Sequence, residues 1–456
     1  MGGRDRPEPA QVLMAPSRPP QQSSEMNGRA EARIVIVGAG FGGLWAAKRF
    51  AARRLAVTLL DKNNYHTFFP LLYQVAAAEL SPSEIAYPIR GVFRNEPLVE
   101  FRRAEVRDVD LGAHIVNIDG SRLAYDYLVI ALGSVPNFFG VEGAARHSFP
   151  LRTMDDAIPL RYHILTCFER AAQAADAELR KSLLRFTIVG GGATGVEYAG
   201  ALAELIYGPL LQDYGTISPE DVQVRLLEAG ERLLPGMPER LQAYARVRLE
   251  ARRVTVRTGC RVEFVGPNRI VTGDDGELAT HTVVWSAGVQ GDPTVSRWGL
   301  PVGPAGRVPV GPTLQLPDHP EVFVVGDLAY LESDEGELPL VAQVALQQGS
   351  AAADNVMRMI RGEPPVPFTY RDLGMMAVVG RNAAVAQIWG GTFTGFGAWI
   401  LWLVIHVSNL IGFRNRALVL VNWAWNYVFY RRAVRLILPD ATRDPPPESR
   451  PSDSGL

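Results

Sequence analysis

At 456 residues the chain has room for two or three domains, and 47% apolar with 21% charged residues describes a globular protein with a sizeable core. A formal net charge of −2 carries no nucleic-acid signature, and Cys167 and Cys260, with no Cys-x-x-Cys, argue against a disulfide scaffold, a thiolate zinc cluster or a redox dithiol. The seven histidines show no metal-ligand spacing, so no metal is expected.

Residues 1–31 contain Pro, Arg and Ser without hydrophobic periodicity or the apolar run of a secretory signal, and read as a disordered lead-in. A β-branched run, Ile34-Val35-Ile36-Val37, then meets Gly38-Ala39-Gly40-Phe41-Gly42-Gly43. This pattern predicts a buried parallel strand, a tight turn that lets a pyrophosphate approach the backbone, and a helix whose N-terminus faces the phosphates. The same phrase returns as Thr187-Ile188-Val189-Gly190-Gly191-Gly192-Ala193-Thr194-Gly195, 152 residues later. Each copy leads to a second strand closed by a carboxylate, Asp61 and Glu228, the partner a ribose 2′-hydroxyl needs. Each copy then returns to an apolar run closed by glycine, Gly133 and Gly288, with 95 and 98 residues from first to closing glycine. Such agreement indicates an internal duplication, and two dinucleotide sites imply two cofactors.

βαβ alternation continues to about residue 360 and predicts two interleaved doubly wound domains. Residues 321–329 form a further strand ending in Gly326-Asp327, ahead of a helix from Val341 onward. The last segment differs in kind. Residues 374–439 contain no Asp, Glu or Lys, carry Arg381, Arg414, Arg416, Arg431, Arg432 and Arg435, and hold five tryptophans: Trp389, Trp399, Trp402, Trp423 and Trp425. The uncharged run 396–413 has 18 residues and the run 417–430 has 14, against about 20 for a transmembrane helix. Arginine at the run ends and interspersed tryptophan fit helices lying in the lipid interface against anionic headgroups. A spanning segment and a soluble core or oligomer interface are the other two readings.

These residues resemble the type II NADH dehydrogenases, single-subunit NADH:quinone oxidoreductases that pump no protons, over roughly residues 33–438. The resemblance rests on both fingerprints, the second running into Val196-Glu197, and on Phe69-Pro70-Leu71-Leu72-Tyr73-Gln74-Val75-Ala76, Leu132-Gly133-Ser134-Val135-Pro136-Asn137, Gly326-Asp327 and Ala342-Gln343-Val344-Ala345-Leu346-Gln347-Gln348-Gly349. It implies an α/β fold with two Rossmann-type doubly wound dinucleotide-binding domains plus a C-terminal membrane-associating helical segment. The divisions expected are a lead-in at 1–31, an FAD domain at 32–150 and 291–363, an NADH domain at 151–290, an anchoring domain at 364–440 and a disordered tail at 441–456.

By the same resemblance Gly38, Gly40, Gly43 and Asp61 hold the adenosine half of FAD, and Asp327 reaches its ribityl chain. Gly190, Gly192, Gly195 and Glu228 hold NADH. Phe41, Gly42, Gly133, Thr194, Gly288, Gly326 and Ala342 complete the cofactor contacts. Glu228 favours NADH over NADPH because a carboxylate repels a 2′-phosphate, although Arg232 is near in sequence. Gln343 and Gln347, four apart on one helix face, are assigned to the quinone pocket, with helix capping as the plainer role. Glu197 is assigned near the nicotinamide–flavin junction, where it orients the nicotinamide or relays protons; its plainer role is a helix-dipole carboxylate. The partners expected are NADH, a membrane quinone (ubiquinone or menaquinone) and an anionic lipid surface on the cytoplasmic face of the inner membrane. Homodimers are usual in that family.

One departure stands out. The family commonly has Asp-Lys-Gly where this chain has Asp372-Leu373-Gly374, which leaves open a membrane-attached flavoprotein reductase with another acceptor, or an NADH sensor without turnover. Sulfide:quinone oxidoreduction fits less well, because it needs a cysteine pair and the two cysteines here fall in a helix and at a strand end.

Overall fold

A computed structural model describes residues 32–429 other than 274, 334, 335 and 389, together with 435–437. The lead-in 1–31, the tail 441–456, Trp389, Arg431 and Arg432 lie outside the described residues.

Four strands open the first sheet in chain order: β1 (Ile34–Val37), β2 (Val57–Asp61), β3 (Val99–Arg103) and β4 (Tyr127–Ile130). The chain leaves to build a second sheet from β5 (Phe149–Pro150), β6 (Arg185–Val189), β7 (Gln223–Glu228), β8 (Val254–Thr258) and β9 (Thr282–Trp285). It then returns to the first with β10 (Gln315–Leu316) and β11 (His319–Val324). The first sheet runs β10-β11-β4-β1-β2-β3 and the second β5-β9-β6-β7-β8. In both, the closing strand lies beside the fingerprint strand, which lies beside the carboxylate strand, all parallel. The duplication read from glycine spacing is thus repeated in strand order. These strands read as continuous apolar runs because helices cover both faces, as a parallel sheet requires; Ile36, Leu59, Val129, Ile188 and Leu226 have no exposed surface. Two antiparallel connector strands, Ser134–Pro136 and Val289–Gly291, pair with each other where the chain crosses between the sheets.

The helices that matter for function are α1 (Phe41–Ala52), α2 (Leu72–Ala76), α3 (Ala193–Leu205), α4 (Ala342–Ile360), α5 (Gly395–Asn409) and α6 (Phe413–Phe429). α1 crosses α4 at a glycine contact, since a Cβ on Gly349 would sit 2.1 Å from the Gly42 carbonyl oxygen. α3 runs straight into a π turn, Ile206–Leu210, that contains Pro209. A three-stranded antiparallel sheet, β12 (Met375–Gly380), β13 (Ala383–Ile388) and β14 (Gly391–Thr394), lies on α3. Gly200 permits that approach, because a Cβ there would meet the Val379 carbonyl oxygen at 2.2 Å.

The apolar tail forms α5 and α6, of 15 and 17 residues, and among the described residues no helix is long and apolar enough to cross a membrane. Its tryptophans are not uniformly outward, as the interfacial reading supposed. Trp402 is 1% exposed and stacks on His406, and Trp423 is buried with its indole N–H donating to Gln74 Oε1 at 2.9 Å. Trp425 is exposed. The outward side is aliphatic and aromatic: Phe396, Ile400 and Val404 recur every fourth residue along α5, and Phe413, Val421 and Val428 extend the exposed apolar surface on α6. α6 is pinned to the body by Asn415, which donates to the Ser83 and Ala86 carbonyls, and by Asn422, which donates to Glu84.

Candidate active site

Each fingerprint folds into a cradle in which three glycines do three different things. Gly38 and Gly190 take φ of +100° and +109°, a conformation L side chains rarely adopt. Gly43 and Gly195 let the helix close on the turn, for a Cβ on either would lie within 2 Å of the Gly38 or Gly190 carbonyl oxygen (1.8 and 1.9 Å). At Gly40 and Gly192, by contrast, nothing lies within 4 Å of the Cβ position. The middle glycine therefore faces open space while its neighbours are packed. α1 and α3 also begin without a side-chain cap or an acidic residue in the first turn. Their first N–H groups are left to an anion, and a dinucleotide pyrophosphate fits both cradles.

The carboxylates close the turns symmetrically. Asp61 accepts the Ala39 and Asn63 N–H groups at 2.7 Å each, and Glu228 accepts those of Gly191 and Gly230 at 2.6 Å each. Burial pushes the Asp61 carboxyl up while the two N–H groups pull it down. Arg232, the residue that weakened the NADH assignment, is paired with Glu239.

Other predicted residues fall at the same edges. Thr194 is exposed in the first turn of α3. Gly133 (φ +75°) faces open space, whereas Gly288 is covered by Phe139, whose Cζ lies 2.8 Å from the Cβ position. Gly326 (φ +76°) gives its N–H to Gln348 Oε1 at 2.7 Å, and Ala342 starts α4 behind an uncapped Val341. Phe41 and Gly42 do different work from that expected. The Phe41 ring is buried among His66, Phe68 and Phe69, so only its backbone can meet a phosphate. Gly42 serves the α1–α4 contact.

Asp327 is not isolated: Arg152 donates to its Oδ2 at 2.5 Å and Ser134 Oγ at 2.8 Å, and Arg152 also donates to Ser134 Oγ at 2.7 Å. Sequence reasoning missed Arg152, which has no motif of its own. It also missed His66, whose Nδ1 donates to the Ala39 carbonyl at 2.9 Å and whose pKa burial lowers to about 4, leaving a neutral ring behind the first cradle.

Glu197, in the second turn of α3, faces neither solvent nor the second cradle but the protein interior, accepting the Val378 N–H at 3.2 Å. Burial lifts its pKa to about 8, against the pull of Val378 and of the adjacent Trp402 indole, whose Nε1 makes no hydrogen bond of standard geometry. A carboxyl protonated at neutral pH has no charge to offer a helix dipole, which removes that plainer role. Glu197 lines a cavity of about 70 Å³ with Tyr73, Gln74, Trp402 and Trp423. Tyr73 is fully buried, accepts from Gln74 Nε2 at 3.1 Å, and is held as a neutral phenol by burial and by Glu197. Gln74 thus links the Tyr73 hydroxyl to the Trp423 indole on α6, in the cavity that Glu197 also lines. Tyr73 and Gln74 belong to the motif at 69–76, which by itself gives neither of them a site role; their placement in the Glu197 cavity does.

Gln343 and Gln347 do share a face of α4, and that face grips segment 371–374. Gln343 donates to the Gly374 carbonyl (3.0 Å) and accepts the Leu373 N–H (3.2 Å), while Gln347 makes the same two-way contact with Arg371 (2.9 and 3.0 Å). Neither is among the described residues lining the Glu197 cavity. The Leu373 side chain is 54% exposed. Cys167 and Cys260 are both buried, and no disulfide joins them.

Two dinucleotide cradles on interleaved parallel sheets define a flavin-dependent pyridine nucleotide reductase, and the pyridine nucleotide-disulphide oxidoreductase family profile matches residues 32–349. The profile of the NDH2 C-terminal domain matches 373–432. The type II NADH:quinone oxidoreductase Ndh of Mycobacterium tuberculosis is 37% identical over 428 residues, covering 91% of this chain and 92% of that one. The type II NADH:quinone oxidoreductase of Staphylococcus aureus is 31% identical over 80% of this chain and 91% of its own. Among solved structures, NDH2 of Plasmodium falciparum in complex with NADH superposes with a TM-score of 0.83 at 19% identity, covering 90% of this chain and 100% of that one. The sulfide:quinone oxidoreductase of Aquifex aeolicus follows the same fold at 0.68 and 19%, over 88% of this chain and 96% of that one. The chain belongs to the type II NADH:quinone oxidoreductase family.

Proposed function

We infer that this protein takes a hydride from NADH onto FAD and delivers two electrons to a membrane quinone, ubiquinone or menaquinone, without pumping protons. The observation that carries this reading is the pair of equivalent open-centred cradles in one chain, with a buried carboxyl, Glu197, on the helix that starts at the second. FAD supplies the two-electron relay between a hydride donor and a quinone. The domain divisions given above are the ones we propose, with the first cradle for FAD and the second for NADH.

In this reading Gly38, Gly40, Gly43 and Asp61 seat the FAD pyrophosphate and ribose, and the Arg152–Asp327–Ser134 group fixes the polar chain beyond them. Gly190, Gly192, Gly195, Thr194 and Glu228 seat NADH, with Gly288 closing the second unit as Gly133 closes the first. The uncapped start of α4 at Ala342 offers partial positive charge to a group that gains negative charge on reduction. Gln343 and Gln347 act by holding 371–374 as a wall of the quinone path. Glu197, with Oε1 taken by Val378, carries a proton on Oε2 for the quinone oxygen. Exposed Phe396, Val404, Val421 and Val428 seat α5 and α6 on an anionic lipid surface, peripherally on the cytoplasmic face of the inner membrane; a homodimer contact is the competing use of that face.

Anaerobic stopped-flow tests the reading. NADH bleaches the bound flavin, and ubiquinone or menaquinone in lipid restores its oxidised absorbance within a turnover time. Bleaching without return would move the acceptor elsewhere or leave a sensor.

A further inference from the structure

The reaction has a proton requirement. NADH donates two electrons and one proton as hydride, a quinone needs two of each to become a quinol, and so one proton per turnover comes from water. Glu197, which this reading has deliver a proton, is buried, and a route from solvent must therefore recharge it.

α3 supplies that route. Glu197, Ala201 and Glu204 follow one another at spacings of four and three on a single helix face, and all three line the 70 Å³ cavity. One water needs about 10–15 Å³ of such space, which leaves room for a short file of waters along the roughly 10 Å of helix axis between the two carboxyls. Glu204 also lines a second, wider cleft of about 600 Å³, whose walls include the exposed Ala251 and Arg253. Among the described residues only Glu204 and Arg381 border both spaces. The helix widens into its π turn one residue past Leu205, a distortion that recurs at functional sites. Glu204 is held in place there: its Oε1 accepts the Arg381 N–H at 2.5 Å and Arg252 Nε at 3.3 Å, and Arg252 is itself fixed by donating to the Arg248 and Arg381 carbonyls.

We propose that Glu204 is the proton-exchange residue of this enzyme, passing protons from the arginine-lined cleft through the Ala201 cavity to Glu197. It rests on the NADH:quinone reading above and assigns that site its connection to solvent. Among the described residues, the other charged and titratable groups lining the two spaces are Tyr73 and Glu79 from α2 and the chain after it, Tyr207 from the π turn, Arg248 from the helix Glu239–Glu250, Arg252 and Arg253 just past it, Arg381 from the turn between β12 and β13, and Tyr427 from α6.

The test uses the FAD-loaded full chain in lipid vesicles and follows the two half-reactions separately. In Glu204→Gln, bleaching of flavin by NADH keeps its wild-type rate, while reoxidation by quinone slows about 100-fold or more, within the roughly 10²- to 10⁴-fold scale of a lost proton-transfer group. That slowing deepens as pH rises and is relieved by added formate, a small weak acid that can enter the cleft. Glu204→Asp retains most of the rate, and Ala201→Val, which narrows the cavity without touching a titratable group, slows the same half-reaction. The proposal falls if Glu204→Gln reoxidises at the wild-type rate, if its defect ignores both pH and formate, or if Glu79→Gln reproduces the effect and Glu204→Gln does not. Wild-type flavin that quinone fails to reoxidise would instead overturn the reading beneath it.

Discussion

Gly192→Ala separates folding from binding at the second cradle. Gly192 has φ −68° and ψ −178°, ordinary extended backbone, and nothing lies within 4 Å of its Cβ position. In the free protein the added methyl therefore meets no atom, and the loss of unfolded-state freedom stabilises the fold by about 0.4–1 kcal/mol. With NADH bound, the methyl occupies the space through which the pyrophosphate reaches the helix N-terminus. Overpacking of that kind costs about 1–3 kcal/mol, which is roughly 5- to 150-fold in Kd. The assay is the NADH concentration dependence of flavin bleaching, measured beside FAD content and Tm. The expected result is a weaker apparent NADH affinity with full FAD content and an unchanged or raised Tm. The matching change in the first cradle, Gly40→Ala, has the same open space and should lose FAD instead. Unchanged NADH affinity in Gly192→Ala, or a collapse in its Tm, would refute the assignment of the middle glycine. Gly195→Ala provides the contrast, because its Cβ would lie 1.9 Å from a carbonyl oxygen and the protein should fail to fold.

Three further outcomes are expected. Because burial raises Glu197 from 4.5 to about 8, the folded protein holds a proton that the unfolded chain has released, so its stability falls as pH rises from 4.5 to 8 and levels off above; in Glu197→Gln a Tm series across this range should be flatter, and an equal slope would show the carboxyl is not the source. Arg152→Ala removes a charged donor from the half-buried Asp327, to which Ser134 Oγ still donates, at a cost of about 1.5–3 kcal/mol for a lost hydrogen bond to a charged group, and should lower FAD content and Tm together, whereas Arg152→Lys should recover part of both. Val404→Asp combined with Val421→Asp places charge on the exposed apolar side of α5 and α6 and should abolish flotation with anionic vesicles while FAD stays bound; persistent flotation would reject this face as the lipid contact. Substitution is a cleaner test than removal of the tail, since Trp399, Trp402 and Trp423 wall the Glu197 cavity.

The sequence alone determined the features that depend on neighbouring residues. Glycines at fixed intervals after a β-branched run dictate a strand, a left-handed turn and an open helix start, and a carboxylate one strand later dictates the turn's partner; such geometry is set within a few bonds and repeats wherever the phrase repeats. The absence of acidic residues and lysine over 374–439 likewise marked a segment of different surface chemistry. Only the tertiary structure decided which way side chains face and what they meet. Arg152 reaches Asp327 across 175 positions and Trp423 reaches Gln74 across 349, contacts that no local pattern encodes. The same holds for Trp402 and Trp423 turning inward on helices whose composition suggested lipid, and for Gln343 and Gln347 spending their amides on segment 371–374. The physical reason is burial: a carboxyl such as Glu197 acquires its chemistry from the desolvation that packing imposes, and an amino-acid string specifies the group without specifying the walls around it.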